Sequence, residues 1–257
     1  SSVRDGKIKI AEFSEGNLTN EEQIKDTEEK NGTCVEFIPD NDPKIFGNYN
    51  YLDEYVEKMI WNYAYLNKGL SLIYNGKKIQ SKKGLFDLLN NNLQENESLY
   101  PIIHLSAGSF EFAFTHSDKV FTEEHYSFVN GQHTTQGGTH QSAFREALVK
   151  VLKDFFKKDY DPSDIRSGLV ASISLRINEP VFESQTKTKL GSTNMMPDGS
   201  GQAVTTFILD AVKSTLDDYL HINSDVAELL LQKIIRNEQL LILHEGKTYN
   251  VLGIAVE

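Results

Sequence analysis

One long helical pattern constrains the fold of this chain more than any other feature of its sequence. In "GGTHQSAFREALVKVLKDFFKK" apolar pairs recur at helical spacing, and such a double stripe fills a wide buried face. The apolar run "LVASISLRI" follows and predicts a buried strand. A helix with so wide an apolar face has to be covered by a core. The pairs are Ala143/Phe144, Ala147/Leu148, Val151/Leu152 and Phe155/Phe156.

Strand patterns occupy both halves of the chain. "VRDGKIKIAEFSEG" has an Asp5-Gly6 turn signal followed by alternation, and "GTCVEFIPD" alternates until Pro39 stops the strand. "NLTNEEQIKDTEEKN", between them, is polar and acidic and predicts a solvated connection. "GLSLIYNGKKIQS" predicts a hairpin at Asn75-Gly76. "YPIIHLSAGSFEFAFTH" and "HYSFVNGQHT" each predict one strand.

Further helices alternate with these strands. "LDEYVEKMIWNYAYLN" has a helical stripe with Trp61 at its edge, and "DPSDIRSGL" predicts a short helix capped by Asp161. Long helices are expected from Val204 and from Ser224. This interleaving predicts an α+β architecture in two parts. The apolar stripe of the "LDEYVEKMIWNYAYLN" helix consists of Leu52, Tyr55, Val56, Met59, Ile60 and Tyr63.

Composition limits the possible partners. The formal net charge of -11 argues against indiscriminate nucleic-acid binding, so any DNA contact is expected on one local basic face. No apolar run approaches the about 20 residues that span a bilayer, and no membrane partner is expected. Cys34 is the single cysteine, which excludes an internal disulfide and is typical of a reducing compartment. The predicted location is the cytoplasm.

Two short motifs suggest anion binding. In "SQTKTKL", Gln185 and Lys187 lie two residues apart, so in an extended loop both side chains point the same way. An amide beside an ammonium suits a phosphate oxygen, although from spacing alone an exposed polar loop is the more usual explanation. In "GQHTTQGGTH" the paired glycines favour either an anion cradle or a structural turn before the helix.

Metal and nucleotide motifs of other kinds are missing. The sequence has no Walker pattern. His125, His133 and His140 lack the spacing and the carboxylate company of a zinc site, so no metal site is predicted. Cys34 is interpreted as a strand residue.

Three segments together resemble one family. "NGTCVEFIPD", "SFVNGQHTTQGGTHQSAFREAL" and "DIRSGLVASISLRINEPVFESQTKTKLG" look like the B subunit of bacterial type IIA topoisomerases, closest to the topoisomerase IV ATPase subunit with gyrase B as near kin. The resemblance runs from about Val3 to about Glu238 and keeps the motifs in family order. It implies the C-terminal part of a GHKL ATPase domain at residues 1–82, a transducer domain with a left-handed βαβ crossover at 83–237, and a divergent segment at 238–257.

The resemblance also implies site residues. Gln185 and Lys187 match the transducer loop that binds the γ-phosphate of ATP and senses its loss, and Thr33 matches a residue lining the adenine pocket. Arg145, Lys150 and Arg166 become candidates for a basic face near DNA, although ordinary solvated helix charges explain them too. The implied cofactors are ATP and Mg²⁺ in the full-length subunit. The implied partners are a transported DNA segment, the A subunit of topoisomerase IV and a second copy of the B subunit.

The resemblance further implies that the chain is a fragment. The family's catalytic glutamate, its Mg²⁺-holding asparagine and its glycine-rich lid have no counterpart here, so the chain alone is expected not to hydrolyse ATP. Gln136 and Ser167 depart from the family's usual acidic residues, and residues 238–257 predict two strands around Glu245-Gly246 where relatives continue as a basic helix. Two alternatives stay open, a mismatch-repair GHKL ATPase and a non-enzymatic interaction module. Whether the parent decatenates or supercoils DNA also stays open.

Overall fold

The computed structural model describes residues 1–40, 42, 44–46, 49–93, 97–120, 122–240, 248–249 and 255–256. Contacts between Cα atoms divide the chain into two compact units, Ser1–Leu52 and Asp53–Glu257. No helix in the described ranges is long and apolar enough to cross a membrane. The domain boundary near residue 82 stays a prediction.

The first unit is built from short strands joined by tight turns. Asp5 and Gly6 have φ angles of 50° and 74°, which confirms the predicted turn between the first two strands. The four-stranded sheet has the order β5-β2-β1-β6, and β3 pairs with β4. The strands are β1 (Ser2–Arg4), β2 (Lys7–Lys9), β3 (Ala11–Ser14), β4 (Asn17–Glu21), β5 (Lys25–Asp26) and β6 (Gly32–Thr33).

Two predictions for this unit are wrong. The acidic segment that predicts a solvated connection contains β4 and β5, because Glu15 and Gly16 (φ 50° and 80°) turn the chain back onto β3. The strand predicted for "GTCVEFIPD" is only the two residues of β6. Its pairing with β1 ends at Ser1 and Cys34, whose backbone groups exchange hydrogen bonds of 2.8 and 2.9 Å. Beyond that point Ile38 is 90% exposed.

The second unit is organised around a five-stranded sheet of order β12-β11-β13-β10-β9. Strands β11 and β13 are parallel neighbours, and the chain between them forms the α3 crossover. The left hand implied for this crossover stays a prediction. The strands are β7 (Leu72–Tyr74), β8 (Lys77–Ile79), β9 (Ile103–Ala107), β10 (Phe110–His116), β11 (Glu123–Val129), β12 (Gln132–His133), β13 (Leu169–Leu175), β14 (Thr248–Tyr249) and β15 (Ala255–Val256). The helices are α1 (Asp53–Leu66), α2 (Leu85–Asn92), α3 (Thr139–Phe156), α4 (Pro162–Arg166), α5 (Val204–Ile222) and α6 (Ser224–Leu240).

Helix α3 lies at the centre of the core, as its apolar stripe predicts. Phe144 is fully buried and its ring lies 5.5 Å from the ring of Phe112 in the sheet. The first three apolar pairs of the stripe are all buried, while Phe155 and Phe156 are partly buried. Helix α4 is capped as predicted, since Asp161 Oδ1 accepts from the Ser163 N–H at 2.7 Å. The α+β fold class is confirmed.

Several details of the second unit differ from the sequence predictions. Helix α1 forms, but Tyr55, Met59 and Tyr63 of its predicted stripe are exposed, and it packs instead through Ala64, Tyr65 and the Trp61 ring stacked on Tyr65. Each of the two segments expected to be one strand is a hairpin, β9–β10 and β11–β12. Their turns contain glycines with positive φ that the apolar alternation had masked.

The two C-terminal strands differ from the predicted pair, because both follow Glu245-Gly246 and do not lie on either side of it. Strand β14 pairs with β15 in an antiparallel ladder. The predicted turn at Glu245-Gly246 lies outside the described residues.

Candidate functional site

Residues 181–192 form a closed loop that begins a few residues after the end of β13. Phe182 and Leu190 pair across its base, and the Gly191 N–H donates to Val181 O at 2.8 Å. Higher in the loop, the Glu183 N–H donates to Lys189 O at 3.0 Å. These bonds make the base a small ladder, so the loop has a fixed stem. We call residues 181–192 the QTK loop.

The tip of the QTK loop is a turn and not an extended segment. The Lys187 N–H donates to Ser184 O at 3.0 Å, and Lys187 has a φ of 56°. The prediction that Gln185 and Lys187 point the same way because of strand-like alternation is therefore wrong in its geometry. The hydroxyls of Ser184 and Thr186 lie 2.8 Å apart and favour the turn over the extended form. Both predicted side chains are exposed at this tip.

The two lysines of the QTK loop differ in their partners. Lys189 Nζ lies 2.9 Å from Glu183 Oε1, so its charge is balanced within the loop. Within the part of the chain that the structure describes, no acidic group pairs with Lys187. An exposed ammonium without a counter-ion is the group on this loop best able to bind an anion.

The QTK loop is bonded to the start of helix α3. The Gln136 N–H donates to Thr188 O at 2.9 Å and the Leu190 N–H to Gly137 O at 3.0 Å. Thr139 binds twice, through its N–H to Leu190 O at 3.1 Å and its Oγ1 to Ser192 O at 2.7 Å. The sequence motifs "GGTH" and "QTK" are therefore parts of one structural unit.

The paired glycines make this contact possible. A Cβ on Gly138 would lie 2.3 Å from Leu190 O, and its φ of 129° also disfavours any side chain. A Cβ on Gly137 would meet the side chain of Gln141 at 2.5 Å. Of the two interpretations of this motif, the geometry favours the structural turn, because the Thr139 N–H that faces the loop is already bonded to Leu190 O.

A buried polar cluster supports the start of α3 from below. Thr134 Oγ1 donates to Ser127 O at 2.8 Å and accepts from His140 Nε2 at 3.2 Å. His140 is fully buried, and that burial lowers its pKa to about 4, so the ring is neutral. Sequence reasoning missed Thr134 and Thr139. In the sequence both lie in "GQHTTQGGTH", a pattern that a turn explains equally well.

Arg145 and Arg166 share one carboxylate. Arg145 donates to Glu123 through Nε at 2.7 Å and Nη2 at 2.6 Å, and Arg166 Nε lies 3.2 Å from the same group. Burial alone would raise the pKa of Glu123, but hydrogen bonds from His125 and Arg145 lower it to about 2. Both arginines are thus partly neutralised inside the fold. Lys150 lies exposed on α3 and has no ion pair among the described residues.

The remaining predicted residues lie elsewhere. Thr33 is an exposed residue of β6 in the first unit, with its Oγ1 3.5 Å from Ser2 Oγ, whereas Gln185 and Lys187 belong to the second unit. Cys34 is exposed just after β6, not within a strand. His125 binds Glu123 at 2.9 Å and His133 stacks on Phe128. The described residues contain no cluster of His, Cys, Asp and Glu that could hold a metal ion.

Comparison with known proteins gives consistent relatives. The family model for DNA gyrase B matches residues 51–242. The B subunit of DNA topoisomerase 4 from Borreliella burgdorferi is 41% identical over 239 residues, which cover 93% of this chain and 38% of that protein. The B subunit of DNA gyrase from Eisenibacter elegans is 31% identical over 258 residues, covering 90% of this chain and 52% of that protein. The chain therefore spans well under two thirds of the length of these relatives.

Solved structures of gyrase B and topoisomerase IV ATPase domains share the fold of this chain. The 43K ATPase domain of Thermus thermophilus gyrase B, solved in complex with an aminocoumarin, has a TM-score of 0.68 at 27% identity. That match covers 91% of this chain and 66% of the solved chain. The topoisomerase IV ATP-binding domain of Francisella tularensis, with a TM-score of 0.64 at 22% identity, shares the fold over 93% of this chain and 67% of that one.

Proposed function

The chain belongs to the DNA gyrase B family, and from that membership we propose that it is the transducing part of the B subunit of a topoisomerase IV. In this role it couples the binding and hydrolysis of ATP to the passage of one DNA segment through another. Membership of this family favours the topoisomerase over the mismatch-repair class. The topoisomerase IV type is supported by the 41% identical relative, which is the B subunit of such an enzyme.

One observation carries the proposal, namely the unpaired Lys187 on a loop with a fixed stem. A sensor of a terminal phosphate needs a free cation that is held in place before the phosphate arrives. Lys187 meets the first condition because it has no acidic partner in the described residues, and the ladder of the QTK loop meets the second. Gln185, two residues away, would donate its side-chain amide to the same phosphate group.

Helix α3 would transmit the event. The QTK loop is bonded to residues 136–139, so a displacement of Lys187 towards a bound phosphate pulls on the start of α3. The same helix carries Arg145 and Lys150 along its length. Because α3 is bonded to the QTK loop at its start and has basic residues along its surface, it is suited to transmit a hinge motion from the phosphate to DNA. Loss of the terminal phosphate on hydrolysis would release Lys187 and reverse the motion.

Nucleotide binding would also involve a residue of the first unit. Thr33, exposed on β6, would line the adenine pocket together with residues of the complete subunit. ATP is the substrate of that subunit, and Mg²⁺ would neutralise its phosphate charge when bound. The described residues offer Lys187 and Gln185 for the phosphate but no carboxylate cluster for the metal. Residues 1–82 would belong to the ATPase domain, 83–237 to the transducer, and 238–257 to a divergent extension.

The residues proposed to contact DNA are Arg145, Lys150 and Arg166. Because Glu123 already binds both arginines, a DNA phosphate would have to compete with that carboxylate, whereas Lys150 is free to bind at once. The partners proposed for the complete protein are the transported DNA, the A subunit of topoisomerase IV and a second copy of the B subunit. The proposed location is the cytoplasm.

The test compares two lysines of the QTK loop in the complete subunit. Lys187→Ala should lower ATP turnover and strand passage about ten- to a hundredfold, because a charge-assisted hydrogen bond is worth about 1.5–3 kcal/mol. Lys189→Ala removes an equal charge from the same loop but only breaks the pair with Glu183, so turnover should change less than about twofold. Equal turnover in Lys187→Ala and wild type, with folding intact in both, would exclude the sensor role.

A further inference from the structure

A cleft of about 770 Å³ lies in the second unit, outside the QTK loop. It opens where β11 and β13, the two parallel neighbours, reach their carboxyl ends. In open sheets, ligands commonly bind outside the carboxyl ends of parallel strands. The volume falls within the range of about 300–1,000 Å³ typical of small-molecule sites. Its lining includes Leu66, Ser109, Asn130, Ser174, Arg176 and Met195.

The floor of the cleft is rigid. The Asn130 side chain mimics a strand, because its Nδ2 donates to Ile177 O at 2.8 Å and its Oδ1 accepts from the Ile177 N–H at 2.9 Å. The Arg176 N–H donates to Ser109 O at 2.8 Å. These bonds fix the backbone on both sides of Arg176, so the site is formed before any ligand arrives.

The charge of the cleft is opposite to that of the chain. The chain carries a formal net charge of -11, yet Arg176 is the one charged residue among the described residues that line the cleft. Within the described ranges the Arg176 guanidinium has no ion-pair partner, and Ser109 and Ser174 line the same space. A lone, fork-shaped cation beside two serines suits a carboxylate or a sulfonate.

Apolar side chains form part of the remaining wall, beside the polar residues Asn67 and Asn178. Leu66 comes from the end of α1, and Met195 comes from the segment that follows the QTK loop. Methionine side chains adapt to irregular apolar bodies. We propose that this cleft binds a small amphipathic monoanion, with its acidic group on Arg176 and its apolar body between Leu66 and Met195. The family function proposed above uses neither Arg176 nor this cleft, so the two proposals stand independently.

Binding can be measured on the chain itself with a matched pair of probes. 2-Naphthoate supplies an anion on an aromatic body, and 2-naphthamide has nearly the same shape without the charge. Titration followed by amide shifts should place 2-naphthoate at Ser109, Gly131 and Arg176. The neutral amide should bind at least about tenfold more weakly, since one charge-assisted contact is lost.

Three variants complete the test. Arg176→Gln should weaken 2-naphthoate about tenfold and leave 2-naphthamide unchanged, while Arg176→Lys should restore part of the loss. Lys213→Gln, which removes an exposed cation from α5 away from the cleft, should bind like the wild type. The proposal is overturned if the shifts map elsewhere, if both probes bind equally, or if Arg176→Gln and Lys213→Gln behave alike.

Discussion

At Gly138 a hydrogen is the only side chain that fits, because a Cβ would lie 2.3 Å from Leu190 O and 2.5 Å from Leu190 N. Those are backbone atoms, which cannot move aside as the end of a flexible side chain can. Thr139 adds two hydrogen bonds to the same loop. The position of Lys187 thus depends on a residue with no functional group of its own.

Gly138→Ala should destabilise the second unit and detach the QTK loop from α3. The added methyl group forces a backbone shift on top of its φ strain, and we expect a loss of about 2–4 kcal/mol in the free energy of unfolding. Gly131→Ala is the control, because Gly131 also has a positive φ of 83° but nothing within 4 Å of its Cβ position. It should lose only about 1 kcal/mol. Urea unfolding measures both, and equal losses would contradict the proposed close approach.

At the level of elements, α6 closes the end of α4. The last carbonyls of a helix have no partner within it. Here Lys233 Nζ donates to Asp164 O at 3.4 Å and also to Ser167 O, and Asn237 Nδ2 donates to Asp164 O at 2.8 Å. His116 Nε2 donates to Ile165 O at 2.7 Å from the sheet side. Side chains from two elements therefore complete one short helix.

Lys233 should make stability depend on pH. Burial, with a further contribution from Arg236, lowers its pKa to about 7 from 10.5. Between these two values the unfolded chain holds a proton that the folded chain has lost, so stability rises as the pH rises. In the wild type this should raise the free energy of unfolding by on the order of 1–2 kcal/mol between pH 7 and pH 9, measured by urea unfolding. Lys233→Met should abolish this gain.

Lys213→Met serves as the exposed control for this experiment and should keep the gain. If Lys233→Met shows the same rise with pH as the wild type, other groups titrate there and the buried ammonium does not.

The sequence predicts elements well where packing is periodic and local. The buried stripe of α3 and the Asp161 cap of α4 are both visible in the sequence and confirmed in the structure. The side of α1 that is buried could not be predicted, because apolar residues occur on both of its faces and only packing through Ala64 and Tyr65 decides between them.

The candidate site divides in the same way. Gln185 and Lys187 are predicted as site residues from their spacing and from the family resemblance, whereas their geometry as a turn depends on hydrogen bonds within the tip. The salt bridges of Arg145 and Arg166 with Glu123 could not be predicted, because the three residues lie far apart in the sequence. Long-range pairing of charges leaves no local pattern for sequence reasoning to detect.

At the scale of the whole molecule, the two units differ in how much they bury. Among the described residues of Ser1–Leu52, Val3 is the one buried apolar side chain, and Phe13 and Phe37 are 66% and 69% exposed. The second unit contains a large core around Phe110, Phe112 and Phe144. Because burial of apolar area provides most of the stability, the two units should unfold separately.

Hydrogen exchange should show this difference. Amides of β1 and β2 should exchange at lower urea concentrations than those of β10 and β13. Val3→Ala should lower the free energy of unfolding of the first unit only, by about 1–3 kcal/mol. Phe144→Ala should lower that of the second unit only, by about 3–5 kcal/mol. A single transition shared by both units, or a variant that moves both, would contradict separate unfolding.

The strand order of the central sheet also sets the order in which the chain can be assembled during synthesis. Strand β13 lies between β11 and β10, although it is the last of the five strands in the sequence. Until the ribosome has released β13, the β9–β10 hairpin and the β11–β12 hairpin have no strand to join them. Non-local pairing of this kind slows folding and leaves strand edges open meanwhile. The QTK loop follows β13, so its docking on α3 belongs to the last stage of folding of this sheet.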